Sequence, residues 1–245
     1  MRTLLFDLDG TLLPLDTDEF IGNYMKMLSY ELKDLIPPEL FVKKLIDSTY
    51  AMIHNLDPSK TNKEVFWEHF FKSLDCDKTA VLSRVDEFYI RKFPDLCRVV
   101  KKNPLPYRIL KEAERLGYEL VIATNPIFPE IAIRERLRWI NADNIPYRLI
   151  TTYENMHFAK PHVEYYGEIL NIIGADPREC VMVGNDVDED LIAAELGIKT
   201  FLVTDHMINR NNRKPNPDYS GTLEDLFYFI KSLEVNHGER IRRRS

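Results

Sequence analysis

The sequence predicts an α/β protein: a Rossmann-like parallel sheet flanked by helices, with a small helical bundle inserted after the first strand. Short apolar runs that end in polar loops recur along the chain, and helical patterns closed by glycine precede three of them. The roughly ninety residues after the first run lack this rhythm and are too many for a structureless loop, so they must fold as a module of their own.

Composition supports a globular core and excludes several classes of protein. The 245 residues are 44% hydrophobic, and 33 basic against 39 acidic side chains give a net charge of −6, which argues against nucleic-acid binding. No apolar stretch approaches the roughly 18 residues of a membrane-spanning helix. Cys76, Cys97 and Cys180 lie too far apart to indicate a zinc cluster or a disulfide framework. We therefore expect a cytoplasmic protein with neither nucleic acid nor membrane as its partner.

Five short runs are predicted as strands of the sheet. The first, residues 3–8, is apolar and ends abruptly at Asp9-Gly10-Thr11, as a buried parallel strand does where it enters a loop. The others are predicted at 119–123, 148–151, 180–183 and 200–203. Helices are predicted between them at 107–116, 129–139, 163–173 and 188–196.

The insert carries four helical patterns, at 18–35, 39–54, 61–74 and 78–92. Thr61 followed by Glu64 is the signature of a capping box at the start of the third. Aromatic residues recur on that helix, and we interpret them as bundle core: Phe66, Trp67, Phe70 and Phe71. The predicted domains are an α/β core at 1–14 and 100–235, an inserted helical domain at 15–99, and a flexible basic tail at 236–245.

Polar side chains collect at the ends of the predicted strands. Because ligands of open parallel sheets bind outside the carboxyl ends of the strands, these side chains are candidates for one site. Carboxylates gathered at one edge repel one another unless a cation is present, and oxygen ligands without histidine or cysteine favour Mg²⁺. The candidates are Asp7, Asp9, Thr124, Asn125, Lys160, Asn185, Asp186, Asp188 and Asp190.

Several of these residues also have an ordinary structural explanation. An aspartate after a buried strand often caps a helix or a turn, which would account for Asp186 or Asp190 taken alone. Thr124 alone fits an ordinary strand end, and Lys160 alone fits the surface. Asp7 is different, because a carboxylate inside an apolar strand costs several kcal/mol unless something compensates for it.

The order of the motifs resembles the haloacid dehalogenase (HAD) superfamily. The segments that carry the resemblance are Asp7-Leu8-Asp9-Gly10-Thr11, Thr124-Asn125, Lys160-Pro161, and Gly184-Asn185-Asp186 with Asp190. The likeness covers residues 1–14 and about 100–233, and the insert is similar to the helical C1-type cap of subfamily I. The resemblance implies a Mg²⁺-dependent phosphatase that acts on a small phosphorylated metabolite.

The resemblance also implies a role for each residue. Asp7 would be the nucleophile that forms an aspartyl-phosphate. Asp9 would be the general acid and then the general base, with its backbone carbonyl on the Mg²⁺. Thr124 and the backbone amide of Asn125 would hold phosphoryl oxygens, and Lys160 would offset negative charge on the nucleophile and the phosphate.

The fourth motif departs from the family pattern. Many relatives have aspartate where this chain has Asn185, so the metal contact falls to Asp186, beside the nucleophile. Asp188 is a competing second ligand. Asp190 would support Lys160 or the metal shell.

Two other functions remain open on the sequence. A phosphomutase of the same superfamily would return the phosphoryl group to a sugar instead of water, and a non-catalytic regulatory protein would keep the fold to bind a phosphorylated ligand. A dehalogenase is disfavoured, since that chemistry needs no metal and no acid at the position of Asp9.

Overall fold

Six parallel strands form one sheet. The computed structural model describes residues 2–242, with side chains described as far as residue 233. The strands are β1 (Thr3–Phe6), β2 (Glu119–Ile122), β3 (Tyr147–Ile150), β4 (Cys180–Gly184), β5 (Lys199–Val203) and β6 (Tyr219–Gly221). They lie in the order β3-β2-β1-β4-β5-β6, and each pairing is parallel. The predicted α/β class with a Rossmann-like parallel sheet is therefore confirmed.

β1 lies at the centre of the sheet, between β2 and β4. Its Phe6 lies opposite Ile122 of β2 and Val183 of β4, and residues 3–6 are all buried. A strand covered on both faces has no solvent side, which explains an apolar run without alternation. The amide of Asp7 still donates to the carbonyl of Val183 at 2.9 Å, so the chain leaves the sheet just after this residue.

The first four α-helices and a 3-10 helix follow β1, and we call residues 15–99 the helical insert. Its helices are α1 (Thr17–Glu31), α2 (Pro38–Ile53), α3 (Asn62–Phe71), α4 (Lys78–Arg91) and the 3-10 helix Phe93–Val99. The capping box of α3 is confirmed. The amide of Glu64 donates to the Thr61 hydroxyl at 3.3 Å, and the Glu64 carboxylate accepts from the Thr61 amide at 2.8 Å.

The first turn of α3 fastens the helical insert to the loop after β3. The amides of Asn62 and Lys63 donate to the carbonyls of Met156 and Tyr153, at 2.8 Å and 2.7 Å. The Asn62 side chain is buried, and its Nδ2 donates to the carbonyl of Phe158 at 3.2 Å. These bonds place the insert above the carboxyl edge of the sheet.

Four further helices pack around the sheet: α5 (Leu105–Arg115), α6 (Glu130–Trp139), α7 (Val163–Ile173) and α8 (Leu223–Arg242). The helices predicted at 107–116, 129–139 and 163–173 are confirmed, with small shifts at their ends. Neither β6 nor α8 is among the elements predicted from the sequence. β6 is only three residues long and has no apolar run, whereas α8 does carry a signal in its buried Leu223, Leu226 and Ile230, spaced as on one helix face.

The helix predicted at 188–196 is wrong in its first half. Residues 187–190 form turns, and only Leu191–Leu196 are helical, in a 3-10 conformation. Asp186 holds these turns: its Oδ1 accepts from the amides of Asp188 and Glu189, at 2.8 Å and 3.0 Å, and its carbonyl accepts from the amide of Asp190 at 3.0 Å.

The basic tail predicted at 236–245 overlaps the last part of α8, whose backbone is helical to Arg242. Residues 243–245 and the side chains from 234 onward lie outside the described residues, so the tail stays a prediction. Across residues 2–242, no helix combines the length and the apolar composition needed to cross a membrane.

Candidate active site at the carboxyl edge of the sheet

A buried lysine joins two aspartates that lie far apart in the sequence. Lys160 Nζ donates to Asp7 Oδ1 at 2.9 Å and to Asp190 Oδ1 at 2.7 Å. All three side chains are buried. Asp7 follows the central strand, Asp190 follows β4, and Lys160 precedes α7, so three elements of the core meet at this point.

Burial and opposite charges act against each other in this cluster. Burial alone lowers the pKa of Lys160, but the carboxylates of Asp190 and Asp7 outweigh it and raise that pKa well above its usual value. Burial raises the pKa of Asp190, and Lys160 opposes that rise. The lysine is therefore cationic at neutral pH, in contact with an oxygen of Asp7.

Thr11 supports Asp7 from its other side. Its hydroxyl lies 3.0 Å from Asp7 Oδ2 and 2.9 Å from Asn185 Oδ1, while Asn185 Nδ2 donates to the carbonyl of His206 at 2.6 Å. Gly10 allows this approach, because it has a φ of +79° and an added Cβ would lie 2.4 Å from Asn185 Nδ2. Sequence reasoning assigned no separate role to Thr11, although it belongs to the first motif.

The fourth-motif loop directs its three aspartates to different partners. Asp190 Oδ2 accepts from the amide of Asp186 at 2.9 Å, which leaves Oδ1 for the lysine. Asp186 Oδ2 accepts from Arg210 Nη1 at 2.9 Å. Asp188 Oδ1 lies 3.2 Å from Arg213 Nη1, and its Oδ2 accepts from Asn211 at 2.8 Å. Both arginines belong to the loop between β5 and β6, and nothing in the sequence pattern indicated them.

Asp9 is paired with an arginine that sequence reasoning missed. Arg136 of α6 is fully buried, and its Nη1 donates to Asp9 Oδ2. Its guanidinium lies over the ring of Phe128 at 4.5 Å and that of Phe20 at 5.7 Å. Among the described residues, Asp9 Oδ1 and Arg136 Nη2 are buried without a hydrogen-bond partner. Burial raises the pKa of Asp9, and Arg136 opposes the rise.

Thr124 and Asn125 reach the same edge at the end of β2, next to β1. Thr124 is buried, and its carbonyl accepts from Tyr165 at 2.8 Å. Asn125 Nδ2 lies 3.4 Å from the carbonyl of Lys160 and 3.3 Å from Glu189 Oε2. Burial raises the pKa of Glu189 to about 7, so this carboxyl is partly protonated near neutral pH.

The oxygen ligands at this edge fit a hard divalent cation. Within residues 2–242, no three side chains of histidine, cysteine, aspartate or glutamate are grouped so as to hold a metal. The carboxylates of Asp7 and Asp186, with the backbone carbonyl of Asp9, supply oxygen donors only. In this structure Asp186 Oδ2 accepts from Arg210, so the guanidinium occupies one oxygen of this candidate ligand.

The sequence model of the haloacid dehalogenase-like hydrolase family matches residues 1–197. This chain belongs to that family. Pyrophosphatase PpaX of Bacillus pumilus is 26% identical over 200 residues, which cover 82% of this chain and 82% of that protein. The predicted membership of the HAD superfamily is therefore confirmed, and the protein is a hydrolase of that family.

Solved structures share the fold of this HAD hydrolase at low identity. A HAD phosphatase from Thermococcus onnurineus has a TM-score of 0.57 and 22% identity, over 94% of this chain and 98% of that one. The HAD-hydrolase YfnB from Bacillus subtilis, described as bound to magnesium, has a TM-score of 0.56 and 18% identity, over the same shares. These likenesses establish the architecture, and the chemistry must be argued from the site.

Proposed function

We propose that the protein is a Mg²⁺-dependent phosphatase that hydrolyses a small phosphorylated metabolite through an aspartyl-phosphate on Asp7. One observation carries the proposal: Lys160 Nζ lies 2.9 Å from Asp7 Oδ1, inside a buried cluster that also holds Asp190. A buried ammonium beside a carboxylate stabilises the negative charge that gathers when that carboxylate meets a phosphate. The relative PpaX is a pyrophosphatase, which supports cleavage of a bond to phosphorus.

Asp7 and Asp9 divide the chemistry between them. A carboxylate oxygen of Asp7 forms a bond to phosphorus as the ester P–O bond breaks, and Asp9 gives a proton to the departing alcohol. Water then attacks the phosphorus of the aspartyl-phosphate as the bond between the Asp7 oxygen and phosphorus breaks, and Asp9 takes a proton from that water. This step releases inorganic phosphate and returns Asp7 to its free carboxylate. Because burial raises the pKa of Asp9, its carboxyl is better suited to carry the proton that the first step needs.

The remaining residues position the phosphoryl group. Thr124 and the amide of Asn125 follow the strand next to the one that carries Asp7. They would hold the oxygens of the phosphoryl group. Asp190 keeps Lys160 in place through the 2.7 Å ion pair. Phosphoryl transfer depends mainly on such alignment and on positive charge around the equatorial oxygens.

A bound Mg²⁺ would be held by the carboxylates of Asp7 and Asp186 and by the backbone carbonyl of Asp9. It would supply positive charge to the phosphoryl oxygens. Asp188, which pairs with Arg213 in the loop after β5, stays the second candidate ligand.

The helical insert is proposed to act as a cap over this site. The bonds between the first turn of α3 and the loop after β3 hold it above the carboxyl edge, where it would exclude water during the reaction. We place the enzyme in the cytoplasm, since its three cysteines are free and unpaired in the fold.

The direct test is phosphate release from p-nitrophenyl phosphate and a panel of phosphorylated metabolites, with Mg²⁺ or with EDTA. Turnover should require Mg²⁺ and should fall by at least about 1000-fold in Asp7→Asn. Asp95→Asn, an exposed aspartate of the helical insert, is the matched control and should keep full activity. Equal turnover by Asp7→Asn and the wild type would refute the assigned nucleophile.

The products separate hydrolysis from the alternative of a phosphomutase. Phosphorus NMR of the reaction should show inorganic phosphate accumulating in proportion to the alcohol released. Conversion of one sugar phosphate into an isomer without free phosphate would contradict the hydrolase assignment. Tight binding of a phosphorylated metabolite without any turnover would indicate a regulatory protein instead.

A further inference from the structure

A cavity of about 410 Å³ lies between the helical insert and the loop after β2. Its walls are mostly aliphatic or aromatic and come from α1, α2, α3, α4 and the loops after β2 and β3. They include Met25, Phe66, Trp67, Phe70 and Phe128. Phe66 and Phe70 are buried, as expected for bundle core, and they also face this space. The volume lies within the range of small-molecule sites.

Part of the cavity wall also contacts the candidate active site. Arg210 is the one charged side chain among the described residues that line it, and the same guanidinium donates to Asp186 at 2.9 Å. Ile127 and Phe128 also line it, directly after Asn125 in the chain. The Phe128 ring in turn packs on Arg136, 4.5 Å from its guanidinium carbon, and Arg136 pairs with Asp9.

Four of the five hydroxyl groups that the described residues place on the walls are already hydrogen-bonded, and the fifth belongs to Tyr50, whose side chain is exposed. Tyr24 and Tyr89 share a hydrogen bond of 2.7 Å, and the Thr49 hydroxyl donates to a carbonyl of its own helix at 2.9 Å. Tyr153 is hydrogen-bonded to Trp67. A sugar that entered this space would lose water from its hydroxyls and find few partners there, at a cost for each of about fivefold in binding or more.

We propose that this cavity binds the leaving group, and that the substrate is a phosphomonoester of an apolar alkyl or aromatic alcohol. The assignment depends on the proposed phosphatase function and narrows its substrate class. The apolar body of the ester occupies the cavity, and its phosphate lies beyond Arg210, at Asp7 and Lys160. Release of water from the apolar walls and from the hydrocarbon drives binding.

Three substrates test the chemistry and the cavity separately. Acetyl phosphate is too small to fill the cavity and reports on the phosphoryl chemistry alone. Cyclohexylmethyl phosphate and glucose 6-phosphate are both primary esters on a six-membered ring and differ mainly in hydroxyl groups. We expect kcat/KM for the cyclohexylmethyl ester to exceed that for the sugar ester by at least about 100-fold, since several hydroxyls would be buried unpaired.

Two substitutions on one helix provide a matched pair. Met25→Gln places an amide in the cavity and should lower kcat/KM for the cyclohexylmethyl ester, relative to acetyl phosphate, about fivefold or more. Met27, two residues on, is also half-buried but does not line the cavity, so Met27→Gln should leave that ratio unchanged. Equal effects of the two variants would overturn the proposal.

The outcomes distinguish this proposal from the proposed function. If acetyl phosphate is hydrolysed but the two ring esters are hydrolysed equally well, the cavity assignment is overturned and the proposed phosphatase function is retained. If none of the three is hydrolysed, the proposed function fails, and calorimetry with cyclohexylmethylphosphonate decides about the cavity. If the phosphonate binds, and if Met25→Gln weakens that binding while Met27→Gln does not, the cavity is supported as an apolar site for a phosphorylated ligand. If the phosphonate does not bind, the cavity assignment is overturned.

Discussion

Replacing Arg136 with methionine isolates the buried ion pair with Asp9. Methionine keeps a flexible apolar chain against Phe128 but removes the charge and its hydrogen bond. Loss of one partner of a buried pair costs about 3–5 kcal/mol, because the other charge is left uncompensated. Arg136 is 0% exposed and the Asp9 side chain 19% exposed, so some water reaches the carboxylate. We therefore expect the lower end of that range, a loss of about 3 kcal/mol at neutral pH.

The loss should depend on pH in a defined direction. Burial raises the pKa of Asp9 in the folded protein and Arg136 opposes the rise, so the variant has a still higher pKa at Asp9. A carboxyl with a raised folded-state pKa binds more protons in the folded than in the unfolded chain, and it costs stability as the pH rises above about 4. The difference between wild type and variant should therefore be larger at pH 7.5 than at pH 5.

Urea unfolding of both proteins at these two pH values measures the effect. Arg134→Met is the control, because Arg134 lies on the same helix, is half-exposed and pairs with Glu130 at the surface. That variant should lose less than about 0.5 kcal/mol. A loss below about 1 kcal/mol for Arg136→Met, or the same loss at both pH values, would refute the reasoning that Asp9 is left as an uncompensated buried charge.

Four further substitutions test how individual residues stabilise the fold. An added Cβ at Gly184 would lie 2.1 Å from Asp190 Oδ2, so Gly184→Ala should lose about 1–3 kcal/mol and most of the phosphatase activity. An added Cβ at Gly22 would have no atom within 4 Å, so Gly22→Ala should gain about 0.5–1 kcal/mol in free energy of unfolding. Urea unfolding that shows Gly184→Ala to be more stable than Gly22→Ala would contradict both expectations. Thr61→Ala removes the capping box of α3 and should cost about 1 kcal/mol; an unchanged thermal midpoint would show that the cap does not stabilise the helix. Burial raises the pKa of Asp218, but hydrogen bonds from a lysine and a backbone amide outweigh burial and hold that pKa below its usual value. The ionised carboxylate therefore stabilises the fold above about pH 4, and this stabilisation is lost in acid. Asp218→Asn should thus be less stable than wild type at neutral pH and equal to it near pH 2, and a gap that does not change with pH would exclude this explanation.

The strand ends show how far local sequence pattern reaches. Asp7, Thr124 and Asp186 each follow an apolar run, and parallel strands bring their carboxyl ends to one edge, so the sequence predicts a common location. The order of strands was not predictable from the runs alone. Only the sheet shows that β1 lies between β2 and β4, which places the aspartate motif beside both other motifs.

The fourth motif illustrates an alternative that spacing could not resolve. Asp188 and Asp190 are separated by one residue, and the spacing leaves open which of them is the second acid of the motif. The fold directs Asp190 to Lys160 and Asp188 to Arg213. That choice depends on turns set by hydrogen bonds to Asp186, which replace the first turn of the helix predicted there.

The amino-acid sequence by itself determined the class of the fold, most of its helices and strands, and the acidic, threonine and lysine motifs. These features are local, because burial pattern, capping and turn chemistry act over a few residues. The tertiary structure alone decided the pairing of Arg136 with Asp9, the contact of Arg210 with Asp186, and the apolar cavity beneath the insert. Arg136 and Asp9 are 127 positions apart in the sequence. Nothing in the local pattern around either residue indicates which arginine is buried against Asp9 when α6 packs beside the first motif.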